Sequence, residues 1–107
     1  MIEVSVYQNE NQLITGFKLL GHAGYADSGE DIVCAAVSVL VINTINSIEE
    51  FTSDVFTYDE DANSGMIEFH ITSELSNESI VLLKSLFLGL QGIQDNYGQD
   101  YIKFTSA

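Results

Sequence analysis

Basic residues are nearly missing from this chain of 107 residues: three lysines, Lys18, Lys84 and Lys103, and no arginine stand against sixteen acidic residues, for a formal charge of −13. A surface that negative repels phosphate backbones, and scattered lysines build neither a basic patch nor an arginine clamp, so direct nucleic-acid binding is not expected. A basic or neutral polypeptide is the more natural partner. Cysteine is scarce too. Cys34 stands alone, so no internal disulfide can form, and the start Met1-Ile2-Glu3-Val4 lacks the charged and apolar regions of a signal peptide. The chain is therefore expected in the cytoplasm. Long apolar runs are missing as well: residues 32–42 make the longest, interrupted by Ser38, and fall short of the roughly 18 to 20 residues that span a bilayer. That run reads as a buried helix, with no membrane partner expected. Neither G-x-x-x-x-G-K-S/T nor G-x-G-x-x-G occurs, which leaves nucleotide chemistry without a phosphate loop.

What is present suffices for one core. With 46% apolar residues and no repeat, linker or low-complexity tract, the expectation is a single domain over residues 1–107. Ile2, Val4 and Val6 alternate with Glu3, Ser5 and Tyr7, and after the polar turn Gln8-Asn9-Glu10-Asn11 the same period resumes at Leu13, Thr15, Phe17 and Leu19, which predicts a hairpin. Residues 21–31 carry three glycines and little periodicity, the mark of a loop. Ser28-x-x-Asp31 ahead of an apolar run has the form of a capping box with Asp in place of Glu, predicting a helix that starts near residues 29 to 31 and ends near Glu50. Residues 51–58 and 66–71 read as a second hairpin, with Ile67, Phe69 and Ile71 toward the core and His70 on the other face. From the N-cap Ser76, residues Ile80, Leu83, Leu86, Phe87, Leu90 and Ile93 recur at helical spacing as far as about Tyr97. Val81, Leu82 and Leu88 lie off that stripe, so the helix is apolar around more of its girth than a small monomer needs, and a homodimer interface is one reading. A last strand over residues 101–104 completes an α+β fold of order ββαββαβ, a mainly antiparallel sheet packed with two helices.

The chemistry, if any, lies between Gly21 and Ser38. His22 sits in the glycine-containing loop, and the only cysteine follows twelve residues later in the first turn of a helix. Unpaired N–H groups and the positive end of the helix dipole favour thiolate over thiol there, so an apparent pKa below the ~8.5 of a free thiol is expected. If His22 folds back over the helix end it can take the thiol proton and later protonate a leaving amine, while the helix N–H groups hold the oxyanion. At about 100° per residue Asp31 lies about 60° to one side of Cys34 and Ser38 about 40° to the other. Asp31 can orient His22 as the third member of a triad, or simply favour the helix start by its charge. Ser38 can support the site, or bond back to the preceding turn. From the residues alone Cys34 reads more readily as a small buried hydrophobe than as a nucleophile. Zinc held by His22, Asp27, Glu30, Asp31 and Cys34 is the competing constellation, but its spacing matches no strong zinc pattern, and neither metal nor cofactor is expected.

Gly21-His22-Ala23, the loop behind it, and Asp31-Ile32-Val33-Cys34-Ala35-Ala36-x-Ser38 together closely resemble the ribosomal-processing cysteine protease family, Prp, also called YsxB-like proteins. The resemblance implies a small cytoplasmic, homodimeric endopeptidase of Firmicutes and related bacteria. It also implies a substrate: the large-subunit ribosomal protein L-twenty-seven, from which a short N-terminal extension is cut after a pair of phenylalanines and before a small residue. On this pattern the nucleophile falls on Cys34 and the base on His22, with Asp31 and Ser38 in support. An acidic enzyme suits a basic ribosomal protein, and surplus apolar residues could line a groove for phenylalanine. The loop with Gly24 and Gly29 is expected to order when substrate binds, bringing His22 into range. The rival reading from another class is a dimeric module that binds a ribosomal protein without cutting it.

Overall fold

β1 (Ile2–Gln8) and β2 (Ile14–Leu20) form the first hairpin, antiparallel with Val4 opposite Leu19 and Val6 opposite Phe17. Its turn is held by Asn9, whose side-chain oxygen accepts the N–H groups of Asn11 at 2.9 Å and Leu13 at 3.1 Å. This computed structural model describes residues 1–27 and 30–106. α1 (Ile32–Phe51) follows the loop after β2; β3 (Phe56–Asp61) and β4 (Met66–Ile71) form the second hairpin; α2 (Asn77–Tyr97) and β5 (Ile102–Ser106) complete the ββαββαβ order.

The five strands lie in the order β3-β4-β2-β1-β5. All neighbours are antiparallel except β1 and β5, which run parallel with Val4 opposite Phe104. Alternation sends Ile2, Val4, Phe17, Leu19, Phe69, Ile71 and Ile102 to one face of the sheet, and all are buried. Both helices cover that face. α1 contributes Val33, Val37, Val41, Ile45 and Ile48, and α2 contributes Leu83, Leu86 and Leu90, at the three-to-four-residue spacing of one helical stripe. Each fully buried leucine contributes about 1.5–3 kcal/mol. The helices pack closely where Gly89 faces Leu40: a Cβ on residue 89 would stand 2.9 Å from a Leu40 methyl.

By length and composition α1 is apolar enough to cross a membrane, a longer apolar element than residues 32–42 suggested. In the fold, its buried stripe makes it a core helix. The second helix keeps its predicted stripe from Leu83 to Ile93, but Ile80, expected on it, is only half-buried while Ser79 beside it is fully buried; of the three residues off the stripe only Val81 and Leu88 are exposed, whereas Leu82 is half-buried against the core. His70 stands on the open side of the sheet, as alternation predicts. It is half-buried there, with Nε2 3.0 Å from Glu68 and its ring 4.7 Å from that of Tyr7.

Several boundaries differ from the sequence reading: the third strand, expected to end at Tyr58, runs to Asp61, and the last, expected over residues 101–104, spans Ile102–Ser106. Phe51, expected to open a strand, is the last residue of α1, and the Thr52 N–H bonds back to the Ile48 carbonyl at 3.1 Å. The alternation that suggested a strand starts only at Phe56. α1 begins at Ile32 because Asp31 is its N-cap and not a residue of its first turn. Ser28, the other half of the expected capping box, lies outside the described residues.

Candidate active site

Asp31 fixes the start of α1. Its Oδ1 accepts the N–H groups of Val33 and Cys34, each at 3.0 Å, and its Oδ2 accepts the Tyr25 N–H at 3.0 Å. One carboxylate thus caps the helix and ties down the loop that follows β2. Burial alone would raise the Asp31 carboxyl, but N–H bonds from Cys34, Tyr25 and Ala26 outweigh it and hold it below the usual carboxylate range. Asp31 therefore acts on backbone N–H groups and on the Cys34 side chain. Among the described residues it makes no hydrogen bond to His22.

Capping in this manner places Cys34 at the third helical position, half-buried. Its Sγ accepts the Ala23 N–H at 3.2 Å, so the residue after His22 is docked on the sulfur. Burial pushes the Cys34 thiol up; the Ala23 N–H opposes this, but the nearby Asp31 charge adds to the rise. The expected lowering at the helix N-terminus is not the outcome, because the capping carboxylate cancels the positive helix end and burial disfavours the anion. The same cap corrects the expected oxyanion donors: the Val33 and Cys34 N–H groups are taken by Asp31 Oδ1, and the Ala35 N–H bonds to the Asp31 carbonyl at 3.0 Å.

His22 is exposed, and its Nε2 lies 3.5 Å from the Asn63 carbonyl oxygen, the outer limit of a hydrogen bond. That contact brings in an element the sequence reading missed. The turn between β3 and β4 leans on the loop after β2: the Gly21 N–H donates to the Ser64 carbonyl at 3.0 Å, and Gly65, at φ +69°, lies so near the Gly21 carbonyl that no side chain fits. A Cβ at residue 65 would also stand 3.1 Å from the His22 ring. The only sequence signal was a glycine at the end of a polar turn.

Two hollows meet at the thiol. The smaller, about 180 Å³, is lined by Leu19, Gly21, Glu60, Asp61 and Gly65 among others; the larger, about 420 Å³, by Gly24, Ala26, Asp31 and Ala35. His22, Cys34 and Ser38 border both. The loop is anchored beyond the larger hollow by Tyr25, whose ring meets Tyr97 and Tyr101 edge-on at centroid distances of 5.6 and 5.2 Å. Gly24 takes φ +73°; Gly29 lies outside the described residues. Among the described residues no three His, Cys, Asp or Glu side chains gather as metal ligands.

A helix-borne cysteine and a loop histidine on one cavity wall are the parts of a thiol hydrolase, and residues 1–103 match the family described as Cysteine protease Prp. The chain belongs to the cysteine protease Prp family. A ribosomal processing cysteine protease Prp from Staphylococcus aureus is 32% identical over 102 residues, 94% of each chain. One from Bacillus subtilis is 24% identical over 110 residues, 99% of this chain and 97% of the other. The structure of an essential ribosomal processing protease Prp from S. aureus with a covalently linked product peptide superposes with a TM-score of 0.93, at 27% identity and full coverage of both chains. The S. aureus enzyme with a substrate peptide gives 0.87 at 25% identity, again with full coverage. The chain is thus a cysteine protease with the Prp fold, and a non-catalytic binding module is the weaker reading.

Proposed function

We propose that this Prp-family protease matures the bacterial ribosome by removing the N-terminal extension of ribosomal protein L-twenty-seven, with Cys34 as nucleophile and His22 as proton carrier. The observation that carries this reading is the shared wall: the only cysteine of the chain and His22 border both hollows, with the Ala23 N–H on the sulfur. The Cys34 thiol gives its proton to His22, and the sulfur bonds to the scissile carbonyl carbon. As the peptide C–N bond breaks, His22 returns that proton to the departing amine. Water then attacks the thioester with His22 as base, releasing the carboxylate product and restoring the thiol. Burial favours the thiol over the thiolate, so His22 takes the proton as the sulfur attacks. The histidine ring has only a 3.5 Å contact to give up before turning toward the sulfur.

Asp31 supports the reaction by holding the helix start and the loop in register. Ser38, exposed on both hollows one turn beyond Cys34, offers a hydroxyl donor to the carbonyl oxygen in place of the capped helix N–H groups. The larger hollow, bordered by Gly24, Ala26 and Ala35, is the roomier seat for phenylalanine rings. The same reading places the enzyme in the cytoplasm, where ribosomal proteins are made, as a homodimer joined through apolar helix residues such as Val39, Val81 and Leu88, all exposed; light scattering checks the dimer.

The experiment is mass spectrometry of an N-terminally extended L-twenty-seven peptide incubated with the enzyme, beside Cys34→Ala and His22→Ala. One cut after the phenylalanine pair, lost in both variants, is the expected result. No cut of either the peptide or the full-length substrate by folded enzyme would return the binding module to first place.

A further inference from the structure

The wall that β3 lends to the smaller hollow carries negative charge. Glu60 and Asp61 border the same space as Cys34, His22 and Ser38. Strand alternation puts Glu60 on the helix-covered side of the sheet with Phe56 and Tyr58, while Thr57 and Asp59 fall on the open side. Glu60 is also held in place: the Tyr58 hydroxyl donates to its Oε2. Burial, with the Glu60 bond and charge added, pushes the Tyr58 phenol up to about 12, so that hydroxyl remains a donor at any working pH.

Among the described residues no cation pairs with this carboxylate: the N-terminal ammonium, which lies by the cavity, donates to the His22 carbonyl. Lys18 lies in register with Glu68, Lys84 is on exposed surface of α2, and Lys103 is on β5, at the opposite edge of the sheet from β3. Among the described residues the one ion pair is His70 with Glu68. A carboxylate oriented by a tyrosine, without an ion-pair partner among the described residues and set on the wall of a peptide-cleaving cavity, is suited to a positive charge that arrives with the substrate.

We propose that Glu60, positioned by Tyr58, determines specificity by receiving the side chain of a lysine or arginine close to the scissile bond. This rests on Cys34 being the nucleophile of that cavity. Because Glu60 and Cys34 border one small hollow, a side chain that reaches Glu60 from a peptide seated at Cys34 belongs to a position near the cut.

The test is a set of peptides carrying lysine or its uncharged near-isostere norleucine at each of the three positions on either side of the cut. At one position lysine is expected to raise kcat/KM about threefold to fivefold over norleucine, the effect of a charge pair to an exposed carboxylate. In Glu60→Gln that ratio falls to about one, and in Glu60→Lys a glutamate peptide overtakes the lysine peptide. Tyr58→Phe gives an intermediate ratio, and salt erodes the preference in the unmodified enzyme. Wild-type ratios near one at every position, or a lysine preference that survives Glu60→Gln, would overturn the proposal. Those results leave the nucleophile assignment standing as long as Cys34→Ala cuts none of the peptides; a Cys34→Ala enzyme that still cuts them defeats the assignment itself.

Discussion

The two helices start alike and end up doing different work. Asp31 caps α1 by accepting the N–H groups of Val33 and Cys34; Ser76 caps α2 by accepting the Ser79 N–H at 3.2 Å and is itself held by Asp54, 2.8 Å from its hydroxyl. Three residues past each cap stands a potential nucleophile, Cys34 in one and Ser79 in the other. Ser79 is fully buried and faces no described hollow, whereas Cys34 borders two, with a loop N–H on its sulfur. A helix N-terminus therefore does not make a catalytic site. What distinguishes α1 is the loop that its cap also holds, and the turn of the second hairpin that closes around His22.

Alanine at position 34 and alanine at position 79 should separate the two helix ends most widely. Cys34→Ala is expected to lower kcat/KM by about a thousandfold or more with little change in melting temperature, whereas Ser79→Ala keeps the cleavage rate within about twofold. Peptide cleavage and thermal melting on the same samples decide it. Loss of activity in Ser79→Ala without unfolding would contradict the contrast.

Next come the caps. Ser76→Ala and Asp31→Ala should each cost about 1–2 kcal/mol in urea unfolding. Only Asp31→Ala should also slow cleavage, by about ten- to a hundredfold, since it alone frees the Tyr25 N–H and the active-site loop. Equal kinetic losses in both variants would mean that Asp31 acts through stability alone.

The pH dependence sharpens the same point. The Asp31 carboxyl sits below its usual range, so its contribution to stability is present above the unfolded carboxylate pKa of about 4 and fades as pH falls through the folded value. The Cys34 thiol is shifted the other way, so the folded state favours the protonated thiol, and that contribution is lost as pH rises through the raised value. In the resting enzyme, iodoacetamide alkylation should still be climbing above the ~8.5 of a free thiol. Asp31→Asn should move the profile toward lower pH. A plateau near pH 7 without substrate would show the thiolate to be preformed. The smallest effect is expected at the anchor: Tyr25→Ala should speed amide exchange over residues 22–27 and lower kcat/KM about threefold to tenfold, because it removes two edge-on aromatic contacts and no polar group. Strong and equal protection with and without bound peptide would show that the loop does not order on binding.

Local signals made much of this legible. The alternation of Ile67, Phe69 and Ile71, the stripe from Leu83 to Ile93 and the Ser76 cap each rest on neighbours in sequence, and each stands in the structure. Asp31 was visible as a helix-start residue but not as the cap, since the choice between cap and first turn depends on a loop backbone that folds back to it. The parallel pairing of β5 with β1 left no periodic trace. The wall built by Glu60, Asn63 and Gly65 was invisible for the same reason: His22 and Asn63 are 41 positions apart, and only the register between β2 and β4 brings them together.

That closeness of Gly65 to the Gly21 carbonyl bears on how the chain tolerates rearrangement. Exposed turn tips are the usual places where a protein accepts insertions or new termini, and this sheet has one at each end. The turn at Asn9–Gln12 holds only itself, so a permutant opened there should retain the site. The turn at residues 62–65 resembles it from outside, yet its backbone serves as the rest against which His22 is set. Lengthening or opening it is expected to shift the histidine and, on the role proposed for His22, to cost cleavage more than stability.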